Sequence, residues 1–214
     1  MPALGRLHLV TDALPVVRAA LSAGTPVVQV RVDDGTTDRE AYGLTRRILD
    51  LCRRHGATCL VNDRVDVALA AGADGVHVGA EDLPVEVARR LLGPAAVLGA
   101  TARTPAAARA AVAAGATYLG VGPAYPTSTK TGLPAPLGPA GVAAVAAAVP
   151  AVPVIAIGGV TAGRVGDLLA AGAYGVAVVG AVSAAADPGR AAVALLAALP
   201  PPSPEPAAAG AGPA

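Results

Sequence analysis

The chain is 54% hydrophobic and only 14% charged, so the places where polar side chains gather are informative. The densest group is Gly122-Pro123-Ala124-Tyr125-Pro126-Thr127-Ser128-Thr129-Lys130-Thr131-Gly132, directly after the apolar run Tyr118 to Val121. Glycine and proline stop the strand pattern, hydroxyls stand at Thr127 and Thr129, and Lys130 adds a point charge of the kind that holds phosphate. An ordinary surface loop has the same composition, and position has to separate the two. A second group is Gln29 and Arg31, placed on one face of an apolar run by period two. A buried glutamine and arginine need partners, which either an anionic ligand or an internal salt-bridge layer supplies. The third group is Asn62-Asp63 together with Asp82, in Gly79-Ala80-Glu81-Asp82. Two carboxylates beside a phosphate clamp suit magnesium, a hard cation that takes one or two carboxylates plus phosphate and water oxygens. Asp63 alone also suits a helix N-cap. Thr101 adds a hydroxyl, and Gly158-Gly159 and Val179-Gly180 let backbone amides approach an anion.

The elements that must position these groups follow from a recurring alternation. Short β-branched runs lie at Leu7 to Thr11, Val27 to Val32, Thr58 to Asn62, Gly75 to Val78, Ala96 to Ala100, Tyr118 to Val121, Val152 to Ile157 and Gly175 to Val179. Helical stretches fall between them at Asp38 to Arg54, Arg64 to Ala71, Pro84 to Leu92, Pro105 to Ala114, Gly138 to Ala148 and Thr161 to Ala171. Asp63, Thr104 and Thr161 are the expected caps, and Pro105 sits where the first helical position tolerates proline. The phrase Ala71-Gly72-Ala73-Asp74-Gly75-Val76 recurs as Ala114-Gly115-Ala116-Thr117-Tyr118-Leu119 and Ala171-Gly172-Ala173-Tyr174-Gly175-Val176. Each copy carries a glycine suited to a helix C-terminus, then a strand buried on both faces. Eight strands alternating with helices predict a single-domain α/β protein with a (β/α)8 TIM-barrel fold, rather than an open doubly wound sheet. Chemistry in such a barrel sits at the C-terminal ends of the strands, where all the groups above fall. The layout predicts two anion sites, one by strands two to four with metal and one by strands seven and eight without. The catalytic domain is expected over residues 1–199, followed by a disordered Pro/Ala-rich tail over 200–214.

Composition narrows the class further. Lys+Arg 16 against Asp+Glu 15 leaves no field to draw nucleic acid or an anionic membrane surface. No stretch approaches the roughly 20 apolar residues of a membrane span, and the N-terminus lacks the pattern of an export signal, so a cytoplasmic protein is expected. A homo-oligomer is compatible with this reading. Cys52 and Cys59 read as buried thiols rather than a disulfide, and His8, His55 and His77 have no zinc spacing.

Taken in order, Gln29-Val30-Arg31, Asn62-Asp63-Arg64, Asp74-Gly75-Val76-His77-Val78-Gly79 with Asp82, Gly120-Val121-Gly122-Pro123, Pro126-Thr127-Ser128-Thr129-Lys130 and Ala156-Ile157-Gly158-Gly159 resemble the thiamine phosphate synthase family. The resemblance runs from residue 7 to 190. It implies a (β/α)8 barrel enzyme of thiamine biosynthesis, a transferase that joins hydroxymethylpyrimidine diphosphate to a carboxy- or hydroxyethylthiazole phosphate, giving thiamine phosphate and pyrophosphate. By that likeness Asp63 and Asp82 hold Mg²⁺, while Gln29, Arg31, Asn62, Thr101 and Lys130 bind the pyrimidine diphosphate. Arg31, Asn62, Thr101 and Lys130 are its implied catalytic set. Thr127, Thr129, Gly158, Val179 and Gly180 line the thiazole phosphate site. The implied mechanism is ionisation: pyrophosphate departs and the thiazole nitrogen attacks the pyrimidinylmethyl cation.

Three positions depart from the family pattern. Asp33 stands where lysine is usual, and like charges about 4 Å apart at an effective dielectric near 20 repel by about 4 kcal/mol. Asp33 therefore turns away, joins the metal site, or lowers activity. Thr101 replaces a common serine and keeps the hydroxyl. Gly180 replaces another and keeps only its amide. Two other functions fit the same barrel: a thiazole tautomerase, which is expected to lack the Asn-Asp pair and the carboxylates, and a paralogue that binds thiazole or pyrimidine phosphates without turnover.

Overall fold

A computed structural model describes residues 4–129 and 132–200. Lys130 and the tail segment 201–214 lie outside the described residues. The strands are β1 (Leu7–Thr11), β2 (Val27–Val30), β3 (Thr58–Asn62), β4 (Gly75–Val78), β5 (Val97–Thr101), β6 (Tyr118–Val121), β7 (Val154–Ile157) and β8 (Gly175–Val178). All neighbours pair parallel, and β1 closes on β8 with Leu7 opposite Val176, so the sheet is a (β/α)8 barrel. Around it run α1 (Leu14–Ser22), α2 (Asp38–His55), α3 (Val65–Ala71), α4 (Val85–Leu92), α5 (Pro105–Ala113), α6 (Gly138–Ala148), α7 (Ala162–Ala170), α8 (Gly180–Ser183) and α9 (Pro188–Ala197).

Local signals account for most boundaries. Thr37 and Glu40 form a reciprocal capping box at the start of α2. Thr104 accepts from the Ala107 amide at 3.2 Å and Pro105 opens α5. The three repeated phrases place Gly72, Gly115 and Gly172 at positive φ just after a helix, where a side chain is disfavoured. Three strands are shorter than expected, β8 by one residue, since Val179 is already the N-cap of α8. β2 ends at Val30, although the Arg31 amide still donates to Thr11. β7 starts only at Val154, because Val152 closes a turn on Val149 and Pro153 has no N–H to pair. Conversely, β5 extends through Thr101. The helices α1, α8 and α9 are not legible in the sequence pattern: α8 is a single turn, and α9 lies in an alanine-rich run with few charges to mark its outer face.

The core has two layers separated by the barrel wall. Inside, Val10, Val27, Leu60, Val97, Tyr118, Ile155 and Ala177 form one cluster. Outside, the opposite strand faces pack on the helices, with Val28, Val30, Ile48, Leu49, Cys52 and Cys59 joining β2 and β3 to α1 and α2. Both cysteines are buried free thiols, as their neighbours suggested. By period two, the interior residues are followed up the same strands by Gln29, Asn62, Gly99 and Gly120. Gln29 and Asn62 thus sit above the apolar cluster, while His8 and Thr58 are buried at its level.

Candidate active site

The upper interior holds a connected polar layer. His77 on β4 shares one hydrogen bond with the Tyr118 hydroxyl (Nδ1, 3.0 Å) and one with the Thr101 hydroxyl (Nε2, 3.0 Å). Gln29, 6% exposed, completes the layer through a side-chain hydrogen bond to Tyr118. His8 on β1 lies edge-on to the Tyr118 ring at 5.3 Å and shares a hydrogen bond with the Gly5 carbonyl, so it supports the ring from the side. Burial lowers His77 to about 4, partly offset by Asp82, and lowers His8 to about 3. Burial also raises the Tyr118 phenol, against the effect of its bond to Gln29. At neutral pH the layer is therefore an uncharged network. His77 carries one ring proton, donates to one partner and accepts from the other.

Two glycines make room for it. A Cβ on Gly99 would lie 2.1 Å from Tyr118 Cζ, and one on Gly120 would lie 2.7 Å from His77 Cε1. Tyr118 on β6 and His77 on β4 can lie across the barrel past the intervening β5 only because these two positions are empty of Cβ.

On the β3–β4 side of the rim, Asn62 ends β3 and donates to Asp63 Oδ2 at 2.5 Å. Asp63 does not cap α3, whose N-cap is Arg64. Instead it sits at φ 63°, the one non-glycine residue in the left-handed region among the described residues. Its amide donates to the His77 carbonyl at 2.8 Å. Such a conformation costs free energy and recurs at functional sites, and Asp is among the residues that tolerate it. Asp82 reaches back to accept from the Gly79 amide at 2.6 Å. The carboxylates thus come from the loops of adjacent strands, with one oxygen of each tied to a neighbour. Among the described residues no group of three or more His, Cys, Asp or Glu forms a metal cluster. A pair of carboxylates is the donor set for a hard cation that fills its shell with substrate oxygens and water, so the residues fit Mg²⁺. Arg31 is half-buried just beyond β2, and Asp33 is exposed in the loop after it.

Across the mouth, Thr127 and Thr129 are linked through their hydroxyls at 3.1 Å. The Thr129 hydroxyl stands 3.6 Å from where a Cβ on Gly180 would be, so the loop after β6 meets the start of α8. Val179 and Gly180 are the N-cap and first residue of that turn. Gly158 and Gly159, at φ 92° and 63°, pass beneath Pro123 and Tyr125, where a Cβ would come within 2.6 and 2.5 Å of that loop. Of the expected site residues, then, Gln29 and Thr101 join one layer and Asn62 and Asp63 adjoin it. Thr127, Thr129, Gly158, Val179 and Gly180 gather on the opposite side. Lys130 lies outside the described residues.

Sequence pattern alone does not mark His77 and Tyr118 as site residues. His77 carries a signal, an imidazole in an apolar strand, but its partner is 41 residues away in sequence.

The family model for thiamine monophosphate synthase matches residues 6–182. A thiamine-phosphate synthase of Salinispora arenicola is 66% identical over 207 residues, covering 93% of this chain and 99% of the relative. One of Salinispora tropica is 64% identical with the same coverage. Among solved structures, thiamine phosphate pyrophosphorylase from Pyrococcus furiosus superposes with a TM-score of 0.80 at 34% identity, covering 90% of this chain and 94% of that one. A 3-hexulose-6-phosphate synthase, at 20% identity and a TM-score of 0.70, shares the fold alone. Matched by the family model over most of its length, and by close relatives that carry the synthase name, the chain belongs to the thiamine monophosphate synthase family.

Proposed function

We propose that this protein joins hydroxymethylpyrimidine diphosphate to a carboxy- or hydroxyethylthiazole phosphate, forming thiamine phosphate and releasing pyrophosphate, together with CO2 where the thiazole carries the ring carboxylate. The support is the division of the rim: Asp63 and Asp82 in the loops after the adjacent strands β3 and β4, with Asn62 bonded to Asp63 and Arg31 just beyond the end of the neighbouring β2, and on the other side paired hydroxyls against the Gly180 turn. In the reaction the methylene C–O bond of the diphosphate breaks, with its electron pair leaving on pyrophosphate. The lone pair of the thiazole nitrogen then forms the new C–N bond. No covalent enzyme nucleophile is required.

The roles follow from charge and place. Arg31, Asn62 and Lys130 hold the diphosphate and stabilise the charge that grows on it. Gln29, Thr101 and Tyr118, the last two oriented by the ring of His77, offer neutral donors and acceptors to a heteroaromatic ring. An uncharged floor of this kind does not oppose a developing cation as a histidinium would. Thr127, Thr129 and the amides near Gly158 and Gly180 receive the thiazole phosphate. Asp63 and Asp82 would hold Mg²⁺, which when bound supplies positive charge to the departing pyrophosphate. A cytoplasmic location belongs to the same proposal; among the described residues no helix is long and apolar enough to cross a membrane.

The test is direct. The purified protein is incubated with both substrates, with Mg²⁺ or with a chelator, and thiamine phosphate is measured. Product with metal and little without is expected. Binding of either substrate with no product under any metal condition would show a binding paralogue instead.

Asp33 gives a sharper check. It lies in the loop that follows Arg31 and is exposed, so its carboxylate opposes an incoming diphosphate through solvent rather than by contact. Replacing it with lysine is expected to lower the KM for the diphosphate substrate severalfold, with little change in the KM for the thiazole phosphate. An unchanged or raised KM would mean that Asp33 does not act on the diphosphate.

A further inference from the structure

We propose that Arg103 is the positioning residue that holds the β6–α6 loop in the shape that receives the second substrate's phosphate. The proposal rests on the reading of Thr127 and Thr129 given above. Arg103 lies two residues beyond Thr101, where the β5–β6 ladder still continues through the Ala102 amide to the Gly120 carbonyl at 3.0 Å. Its backbone is thus fixed to the barrel at the level of the polar layer. From there its guanidinium turns toward the loop. Nη1 donates to the Gly122 carbonyl at 2.9 Å and Nη2 donates to the Ala135 carbonyl at 2.8 Å. One planar fork therefore joins the outgoing limb of the loop to the returning limb.

The two limbs are otherwise held unequally. The outgoing limb is anchored repeatedly: the Ala124 amide donates to the Ile157 carbonyl, the Tyr125 amide to the Gly158 carbonyl, and the Arg164 guanidinium lies 4.5 Å from the centre of the Tyr125 ring. Among the described residues, segment 132–136 makes one hydrogen bond, and it is the one from Arg103. Below it, only Leu137 and Gly138 close the base, donating to the Pro123 and Ala124 carbonyls. The hydroxyls of Thr127 and Thr129 bond to each other at the tip. Their approach to Gly180 therefore depends on where the limbs are set.

A lysine would not replace this arginine. Its ammonium is a single centre on a mobile stem, whereas the guanidinium presents two donors in fixed geometry to two acceptors. The Arg103 charge also rests on two neutral carbonyls rather than on a carboxylate. It thus adds positive potential at the root of a loop proposed to hold an anion.

The test is steady-state kinetics on Arg103→Ala and Arg103→Lys, with calorimetric titration of the thiazole phosphate and thermal melts of each variant. For Arg103→Ala, loss of one or two charge-assisted hydrogen bonds predicts a KM and Kd for the thiazole phosphate raised about tenfold to a hundredfold. The KM for the pyrimidine diphosphate should move less than about twofold and the Tm stay nearly unchanged, a split that separates positioning from general damage. Arg103→Lys should recover only a small part of the loss, and added guanidinium ion at millimolar concentration should partly rescue Arg103→Ala. Unchanged thiazole phosphate affinity would overturn the proposal, as would a parallel loss for both substrates with a lowered Tm. If the unsubstituted protein makes no thiamine phosphate, the proposed reaction fails, but titration of the thiazole phosphate into both proteins still decides the role of Arg103.

Discussion

Asp63 shows how much a single backbone angle separates a structural role from a chemical one. A residue between a strand and a helix is usually a cap, and an aspartate there would accept from the first helical amides. At φ 63° the carboxylate is instead swung onto Asn62, while its amide ties β3 to the carbonyl of His77. Asparagine tolerates the left-handed region at least as well as aspartate and keeps the same shape. Asp63→Asn is therefore expected to melt within a few degrees of the parent, or above it, while activity with saturating Mg²⁺ falls by about a hundredfold or more through loss of a hard anionic donor. Equal activity in the asparagine variant would remove Asp63 from the metal site. A large drop in Tm would mean that its charge serves the fold.

At the scale of elements, the small residues matter as much as the polar ones. Gly99 on β5 and Gly120 on β6 leave the space into which Tyr118 and His77 extend, so the polar layer exists because its neighbours lack a Cβ. Gly99→Ala would drive a methyl to 2.1 Å from the Tyr118 ring, and overpacking of this kind costs about 1 to 3 kcal/mol. Since Tyr118 joins Gln29 to His77, the variant should lose activity out of proportion to its stability. Gly43, in the interior of α2 with nothing near its missing Cβ, gives the opposite case. There alanine should stabilise the protein by about 0.5 to 1 kcal/mol with activity unchanged. Denaturant melts paired with initial rates check both. The same contrast explains what could be read from the chain alone. Strand order, helix ends and the rim residues Gln29, Asn62, Asp82 and Thr101 follow from local pattern, because glycine at a helix end or a polar residue at a strand end signals itself. The Gly99–Tyr118–His77 fit is set by which strands become neighbours, and nothing within ten residues of His77 announces Tyr118. Thr129 meeting Gly180 is likewise a product of closure, since α8 is too short to have a periodicity of its own.

For the whole molecule, closing the sheet brings two histidines from β1 and β4 against one tyrosine, with His8 sealed from water and His77 half-buried beneath the mouth. Each is held neutral, and in each the chief cause is burial. The consequence for stability has a definite sign. In the unfolded chain these imidazoles titrate near 6.5, whereas in the native barrel His77 is lowered to about 4 and His8 to about 3. Between those values the unfolded state binds more protons than the native state, so stability is complete above pH 6.5 and is lost as the pH falls toward the native pKa values. His8, fully buried, supplies the larger part of this dependence, at about 1.4 kcal/mol for each pH unit that separates its native from its unfolded titration. Most carboxylates titrate below about pH 4.5, so the interval from pH 6.5 to 4.5 reports mainly on histidine. The Tm should fall across that interval, and His8→Gln, which keeps a donor for the Gly5 carbonyl without a titratable ring, should make the fall shallower by the contribution of one proton. His55→Gln, at an exposed position in the last turn of α2, gives the same substitution away from the barrel interior for comparison. Thermal melts of the three proteins at half-unit pH steps measure this. Parallel curves for His8→Gln and the parent would show that His8 is protonated inside the barrel or reached by water, and that closure of the sheet does not hold it neutral.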